Sequence, residues 1–141
     1  MASFTKYNTF IDELSKGGHN LQTAVFKAAL TNTAPTAATD TVWNTTVAPA
    51  PASANGYTAG GNTLTTSFAS TTSGTFKLVL ADSTFTASGG QIGPFRYVIL
   101  YNSSASNKVV GYYDYGSSVT LNDTETFTVD FDGTNGVFTL A

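Results

Sequence analysis

The stretch 93-GPFRYVILYN-102, followed after a polar turn by 108-KVVGYYDY-115, decides the fold. Alternate residues of its first run project to opposite sides of a pleated strand, and both sides are apolar: Phe95, Tyr97, Ile99 and Tyr101 on one, Val98 and Leu100 on the other. Such a strand is typical of the middle of a sheet that is covered on both faces. Because only residues 103–107 separate the two runs, we predict a hairpin at the centre of the fold.

Other short runs of β-branched and aromatic residues, separated by Gly, Asn, Asp and Ser turns, predict the remaining strands. These runs cover residues 22–31, 62–68, 75–81, 83–87, 117–121, 125–132 and 136–140. The pattern predicts a mainly β fold, an antiparallel two-sheet sandwich of the jelly-roll or immunoglobulin-like kind. At 141 residues the chain has the length of one domain, so residues 1–141 are predicted to form a single β-sandwich domain.

Residues 1–18 are predicted to form an N-terminal helical segment. The apolar positions before Gly17-Gly18 recur at the spacing of one helix face: Tyr7, Phe10, Ile11 and Leu14. Such a helix either packs on the sandwich or docks on a partner.

Residues 32–61 are predicted to form a long irregular arm, rich in Thr, Ala, Pro and Gly. Pro35, Pro49 and Pro51 are incompatible with interior positions of a sheet. Trp43, the only tryptophan, either packs at the rim of the core or anchors the arm on a neighbouring molecule, since tryptophan is enriched among interface anchors.

Charge and composition argue against several classes of partner. The net charge is −3 and the six Lys and Arg residues are scattered, which argues against direct binding of nucleic acid. The chain has no cysteine and therefore no thiolate metal site or disulfide. No apolar window approaches the ~20 residues of a membrane span, and the N-terminus lacks the features of a secretory signal. We expect synthesis in the cytoplasm and no membrane partner.

No pattern of residues predicts catalysis. His19 is the sole histidine and precedes nearly every candidate serine, and no Gly-x-Ser-x-Gly elbow is present. We expect neither enzyme activity nor a cofactor. Asp130, Asp132 and Asn135 are weak metal candidates, because their oxygens alternate as in a calcium loop. Asp132-Gly133 and Asn135-Gly136 are also common tight-turn dipeptides, so we prefer a plain hairpin without metal.

Two further groups of residues suggest interfaces. Arg96 and Asp114 would form a partly buried ion pair if they face each other across the central hairpin, fixing register or serving an interface. The tyrosines of that hairpin are compatible with core packing, a protein contact or a carbohydrate-binding platform. The aromatic residues that we select as interface candidates are Tyr7, Phe10, Trp43, Tyr57, Tyr112 and Tyr113.

Several motifs together resemble a group of small virion proteins of tailed bacteriophages. They are 55-NGYTAGG-61, 77-KLVLAD-82, 93-GPFRYVILYN-102, 114-DYGSSVTL-121 and 125-ETFTVD-130, and the likeness runs from about Phe26 to the C-terminus. The resemblance implies a structural component of the particle, most similar to a capsid decoration (cement) protein. Such proteins are small, β-rich and oligomeric, and they bind the outer surface of the shell. The motifs assign no individual contact residue.

The resemblance thus implies two partners, the major capsid protein and further copies of this chain as a dimer or trimer. It implies a location on the capsid surface of the virion after synthesis in the host cytoplasm. Two other functions stay open: a tail or neck component, such as a tube, adaptor or fibre-base protein, and a carbohydrate-binding module that uses the tyrosines.

Overall fold

The computed structural model describes residues 2–44 and 53–141. These ranges contain ten strands, one α-helix and one 3₁₀ turn. In chain order they are β1 Phe4–Lys6, α1 Asn8–Ser15, β2 Phe26–Thr31, β3 Asn62–Thr63, β4 Thr66–Thr72, β5 Thr75–Leu80, β6 Ser83–Thr86, β7 Ile92–Asn102, the 3₁₀ turn Ser103–Ala105, β8 Lys108–Leu121, β9 Thr126–Val129 and β10 Phe138–Leu140.

The described strands form three antiparallel sheets. The largest has the order β1-β8-β7-β2-β3, the second has the order β10-β5-β4, and β6 pairs with β9 in the third. The prediction of a mainly β fold with antiparallel sheets and one short helix is confirmed. The strands divide among three hydrogen-bonded sheets rather than the two expected, because β6 and β9 pair only with each other.

The predicted central hairpin is confirmed as β7 and β8. Residues 97–102 of β7 are all buried, and Ile99 pairs with Ala29 of β2 on one side and with Tyr112 of β8 on the other. The predicted strand 117–121 is not separate. It is the end of β8, because the pairing of β8 with β7 continues to Phe95↔Val119. Gly116, with a φ of 83°, lies within the strand just before this part.

The N-terminus adds a strand that the sequence did not predict. β1 pairs with β8 through Phe4↔Tyr113, and three residues are too few to show an alternating pattern. Gly111 makes this approach possible, because a Cβ at that position would overlap the Phe4 ring. The helix that follows covers only Asn8–Ser15, within the predicted segment.

Aromatic side chains cover both faces of the five-stranded sheet. Adjacent residues of a strand point to opposite faces, so Tyr112 and Tyr113 mark the two sides of β8. Tyr112 lies 5.3 Å from Tyr7, and Tyr113 lies 5.3 Å from Phe4, between ring centroids. Phe4 in turn stacks on Phe138 of β10 at 6.1 Å. Of the buried hydrophobic residues in the described ranges, all but Val79 form one continuous cluster.

The predicted strand 62–68 changes sheets in its middle. β3 pairs with β2, while β4 pairs with β5 and continues to Thr72. Gly61 permits the first contact, since it has a φ of 75° and a Cβ there would overlap the Ala28 backbone. The predicted strand 22–31 is observed only from Phe26 onward.

The described parts of the irregular segment lie against the sheets. The Trp43 amide donates to the Asn107 carbonyl at 2.8 Å, and the Ser88 amide donates to the Asn55 carbonyl at 2.9 Å. Pro49 and Pro51 lie outside the described residues. Where it is described, the segment is therefore irregular in secondary structure but attached to the body of the protein through backbone hydrogen bonds.

Candidate interaction surface

The structure places five of the six aromatic interface candidates in the protein's own core. Their side chains are between 0% and 6% exposed, and Tyr112 is half-buried. The five buried residues are Tyr7, Phe10, Trp43, Tyr57 and Tyr113. This corrects their selection as surface anchors, because the folded chain already covers nearly all the area that a partner would need.

Trp43 and Tyr57 show how the irregular segment is held. The Trp43 ring stacks on Tyr101 with centroids 5.9 Å apart, so Trp43 packs at the core rim. The Tyr57 hydroxyl accepts a hydrogen bond from the Leu30 amide at 3.1 Å, and burial raises the pKa of Tyr57 to about 12. Both side chains therefore stabilise the fold.

The N-terminal helix packs on the sheets through the residues that were predicted to form its apolar face. The Phe10 ring lies 5.4 Å from Phe138 and 5.1 Å from His19. Glu13 bonds Lys108 at the start of β8 at 2.6 Å. Ile11, which also belongs to the predicted face, is 44% exposed because the helix buries only part of that face.

His19 lies in a loop, as predicted, but it is buried. Its Nδ1 lies 3.2 Å from the Asn102 side-chain nitrogen, and its Nε2 has no hydrogen-bond partner among the described residues. Burial, followed by the positive charge of Lys108, lowers the pKa of His19. The imidazole is therefore a neutral core residue that packs edge-on against the Phe10 ring. No sequence signal indicated this role.

Two of the three weak metal candidates lie in a turn, and the third precedes it. The Asp132 carboxylate accepts from the amides of Asn135 at 2.7 Å and Thr134 at 2.8 Å. It also accepts from the Asn135 side chain at 2.8 Å, and these bonds lower the pKa of Asp132. Within residues 2–44 and 53–141, no group of three or more His, Cys, Asp or Glu residues is placed to hold a metal ion. Asp132 and Asn135 thus belong to a turn, and Asp130 lies exposed before it. The predicted hairpin at this turn is wrong, because β9 pairs with β6 and β10 pairs with β5.

The anticipated Arg96–Asp114 pair is present at the surface of the central hairpin. Arg96 donates to the two carboxylate oxygens of Asp114 at 2.7 and 2.9 Å, and the Gly116 amide donates at 2.8 Å. Hydrogen bonding to Arg96, then to Gly116, lowers the pKa of Asp114. The pair lies beside the point where the register between β7 and β8 shifts, next to Gly116.

Most carboxylates of the chain have this kind of structural role. Eight of the nine Asp and Glu side chains accept a hydrogen bond from a backbone amide or bond a neighbouring cation. They are Asp12, Glu13, Asp40, Asp82, Asp114, Asp123, Glu125 and Asp132. Seven of them fix turns or join elements, whereas Asp12 forms an exposed i,i+4 ion pair with Lys16.

The tyrosines of the central hairpin do not present an open platform. Tyr97, Tyr101 and Tyr113 are buried, and the Tyr112 ring contacts Tyr7 at 5.3 Å and Tyr97 at 6.5 Å. Phe68, at 40%, is the only exposed aromatic side chain in the described ranges. The exposed aromatic side chain therefore lies on β4 and is not one of the predicted residues.

The outer edge of β4 is the candidate interaction surface. β4 is the end strand of the sheet β10-β5-β4, and five of its seven residues are exposed. The other edge strands of the described sheets have between two and four residues. A long unpaired edge offers a row of free amide and carbonyl groups to another strand. The sequence predicted a strand at 62–68 but not its position at an edge.

Comparison of the chain with protein-family models, curated proteins and solved structures found no match. Among the residues that the structure describes, no helix has the length and apolar character needed to cross a membrane.

Proposed function

We propose that this chain is a structural binding protein of a virus particle, a decoration (cement) protein that attaches to the shell formed by a major capsid protein. The observation that carries the proposal is the use of seven of the nine carboxylates to fix turns or join elements. A chain whose acidic groups serve its scaffold is suited to adhesion. The motifs between Phe26 and the C-terminus supply the link to phage virion proteins.

Attachment would stabilise the particle by mass action. A protein that binds the assembled shell but not its dissociated subunits shifts the equilibrium toward the shell. A β scaffold whose turns are fixed by side-chain hydrogen bonds, such as those of Asp132 and Asp123, loses little conformational entropy when it binds. A small loss of conformational entropy leaves more of the interaction free energy for binding.

In this proposal the two smaller sheets form the second layer of a sandwich of the jelly-roll or immunoglobulin-like kind. Ring contacts between layers support it. Phe4 of β1 stacks on Phe138 of β10, and Phe95 of β7 meets Phe127 of β9 with centroids 4.9 Å apart.

The test mixes the purified chain with shells that lack it and with shells that already carry it. We expect co-sedimentation only with the bare shells, added density on their outer surface in electron micrographs, and greater resistance of the coated shells to heat. Failure to bind bare shells contradicts the proposal. Assembly into rings or tubes in place of shell binding would assign the chain to a tail or neck, and glycan binding that is lost in Tyr112→Ala would assign it to carbohydrate recognition.

A further inference from the structure

We propose that β4 pairs with β4 of a second copy of this chain, antiparallel and about a two-fold axis at Ser70. The three-stranded sheets of the two copies would then join edge to edge into one continuous sheet. This inference concerns self-association in solution and is independent of the virion role.

The backbone of β4 has the alternation that such pairing requires. Ser73 and Gly74 form the turn to β5 with φ values of 51° and 81°, and Thr72 pairs with Thr75 beside it. In a two-residue hairpin of this type the flanking pair is hydrogen-bonded, and bonded pairs then alternate with unbonded ones. Ala69 and Thr71 therefore direct their amide and carbonyl groups away from β5, toward the free edge.

An axis at Ser70 places these outward groups opposite each other. Ala69 of one copy then faces Thr71 of the second copy, and the two residues exchange both N–H···O bonds. The symmetry repeats this pair on the other side of the axis. The backbone of a second β4 is thus complementary to the first.

The side chains opposite each other in this register are also compatible. Phe68 faces Thr72 of the second copy, an aromatic and β-branched pair that stabilises antiparallel strands. Ser70 faces Ser70 of the second copy, where the two hydroxyls can hydrogen-bond. The pairing covers Phe68, the exposed aromatic residue of the described ranges.

Charge favours an identical partner. The sequence of β4, TSFASTT, contains no charged residue, so two copies bring no like charges opposite each other. The nearest cation, Lys77, lies on β5 and is one strand further from the axis. Its ammonium donates to the Thr134 carbonyl at 3.0 Å and lies 5.6 Å from the centre of the Phe68 ring.

A surface groove beside β4 has room for a side chain of the second strand. The groove has a volume of about 300 Å³ and is lined by Gln22, Ala69, Ser70, Thr71 and Phe76. In the proposed register the Thr71 side chain of the second copy lies next to Ala69, at this groove. The open space is therefore at the positions where the pairing needs it.

The extent of regular strand sets the strength of the dimer. A bulge between Thr66 and Phe68 ends the regular ladder, so pairing is confined to residues 68–72. Such a contact is smaller than the roughly 1,200–2,000 Å² buried in stable protein complexes. We therefore expect a weak dimer that forms as the protein concentration rises.

The test is sedimentation velocity of the full chain over a concentration series, with Ser70→Glu as the first variant. In the monomer the introduced carboxylate would lie opposite Lys77, which supports the fold. In the dimer two such carboxylates would meet at the axis, so we expect loss of the dimer. Thr139→Glu is the matched control, since Thr139 pairs with Lys77 from β10 at the other edge of the same sheet. This variant should dimerise like the wild type.

A charge-swap variant identifies the partner as a second copy. Ser70→Lys alone should also be monomeric, and an equimolar mixture of Ser70→Glu and Ser70→Lys should recover the dimer. Circular dichroism checks that each variant is folded. A wild type that stays monomeric, a Ser70→Glu variant that dimerises normally, or a mixture that stays monomeric would overturn the proposal. A heterologous strand as the true occupant of this edge would give the first of these results.

Discussion

The hairpin β7–β8 and the hairpin β4–β5 are both antiparallel, but their surroundings differ. β7 has a strand on each side and is buried throughout residues 97–102. Among the described strands β4 has a neighbour on one side only, and five of its seven residues are exposed. The first hairpin is aromatic and aliphatic, whereas β4 consists of Thr, Ser, Ala and one Phe. A central position in a sheet thus makes the β7–β8 hairpin stabilise the fold, and an edge position leaves β4 free to bind.

The largest expected effect comes from deleting a side chain of the central hairpin. Leu100 is 1% exposed, so Leu100→Ala leaves a cavity and should lower the free energy of unfolding by about 3 kcal/mol. Phe68→Ala on β4 is the matched control and should change it by less than about 0.5 kcal/mol at low protein concentration. Urea unfolding of both variants measures the difference. Comparable losses would remove the distinction between the two hairpins.

A smaller effect is expected where the irregular segment meets β2. Tyr57→Phe removes the hydroxyl that accepts from the Leu30 amide and leaves that buried donor without its partner. The free energy of unfolding should fall by about 1–2 kcal/mol. The same urea experiment tests this, and a variant as stable as the wild type would show that the segment is held by packing alone.

The smallest effect concerns an exposed turn and appears only in acid. The pKa of Asp132 in the folded chain lies below its ordinary value of 3.8, chiefly because the Asn135 amide bonds the carboxylate. A lowered folded pKa means that the stabilisation is fully present above 3.8 and is lost as the pH falls through the folded value. Asp132→Asn should therefore flatten the fall in stability on acidification. Thermal unfolding between about pH 2 and pH 7 measures the slope, and equal slopes would contradict this role.

The sequence was most informative where hydrophobic pattern alone determines position. The central hairpin was predicted because both faces of 93–102 are apolar, a pattern that only a covered strand explains. β1 was missed because three residues carry no period. The division into three sheets was missed because pairing between distant strands depends on the register of the whole fold.

The candidate surface was harder to predict than the fold. Tyr7, Phe10 and Trp43 were selected because aromatic residues are common at interfaces, yet the same residues are the largest contributors to a small core. Phe68 was placed only within the predicted strand 62–68 and was not among the selected residues. Which side of a strand faces water follows from its neighbours in space, and the alternation along β4 is the same for either choice.

The most direct test of the contrast between a closed centre and one open edge is hydrogen exchange of individual amides by NMR. In dilute solution the outward amides of Ala69 and Thr71 should exchange orders of magnitude faster than those of Val98 and Leu100, which are bonded between two strands. Raising the protein concentration should protect Ala69 and Thr71 as the edges pair. Equal protection of all four amides at dilution would contradict the account, because it would mean that the β4 edge is already closed in the single chain.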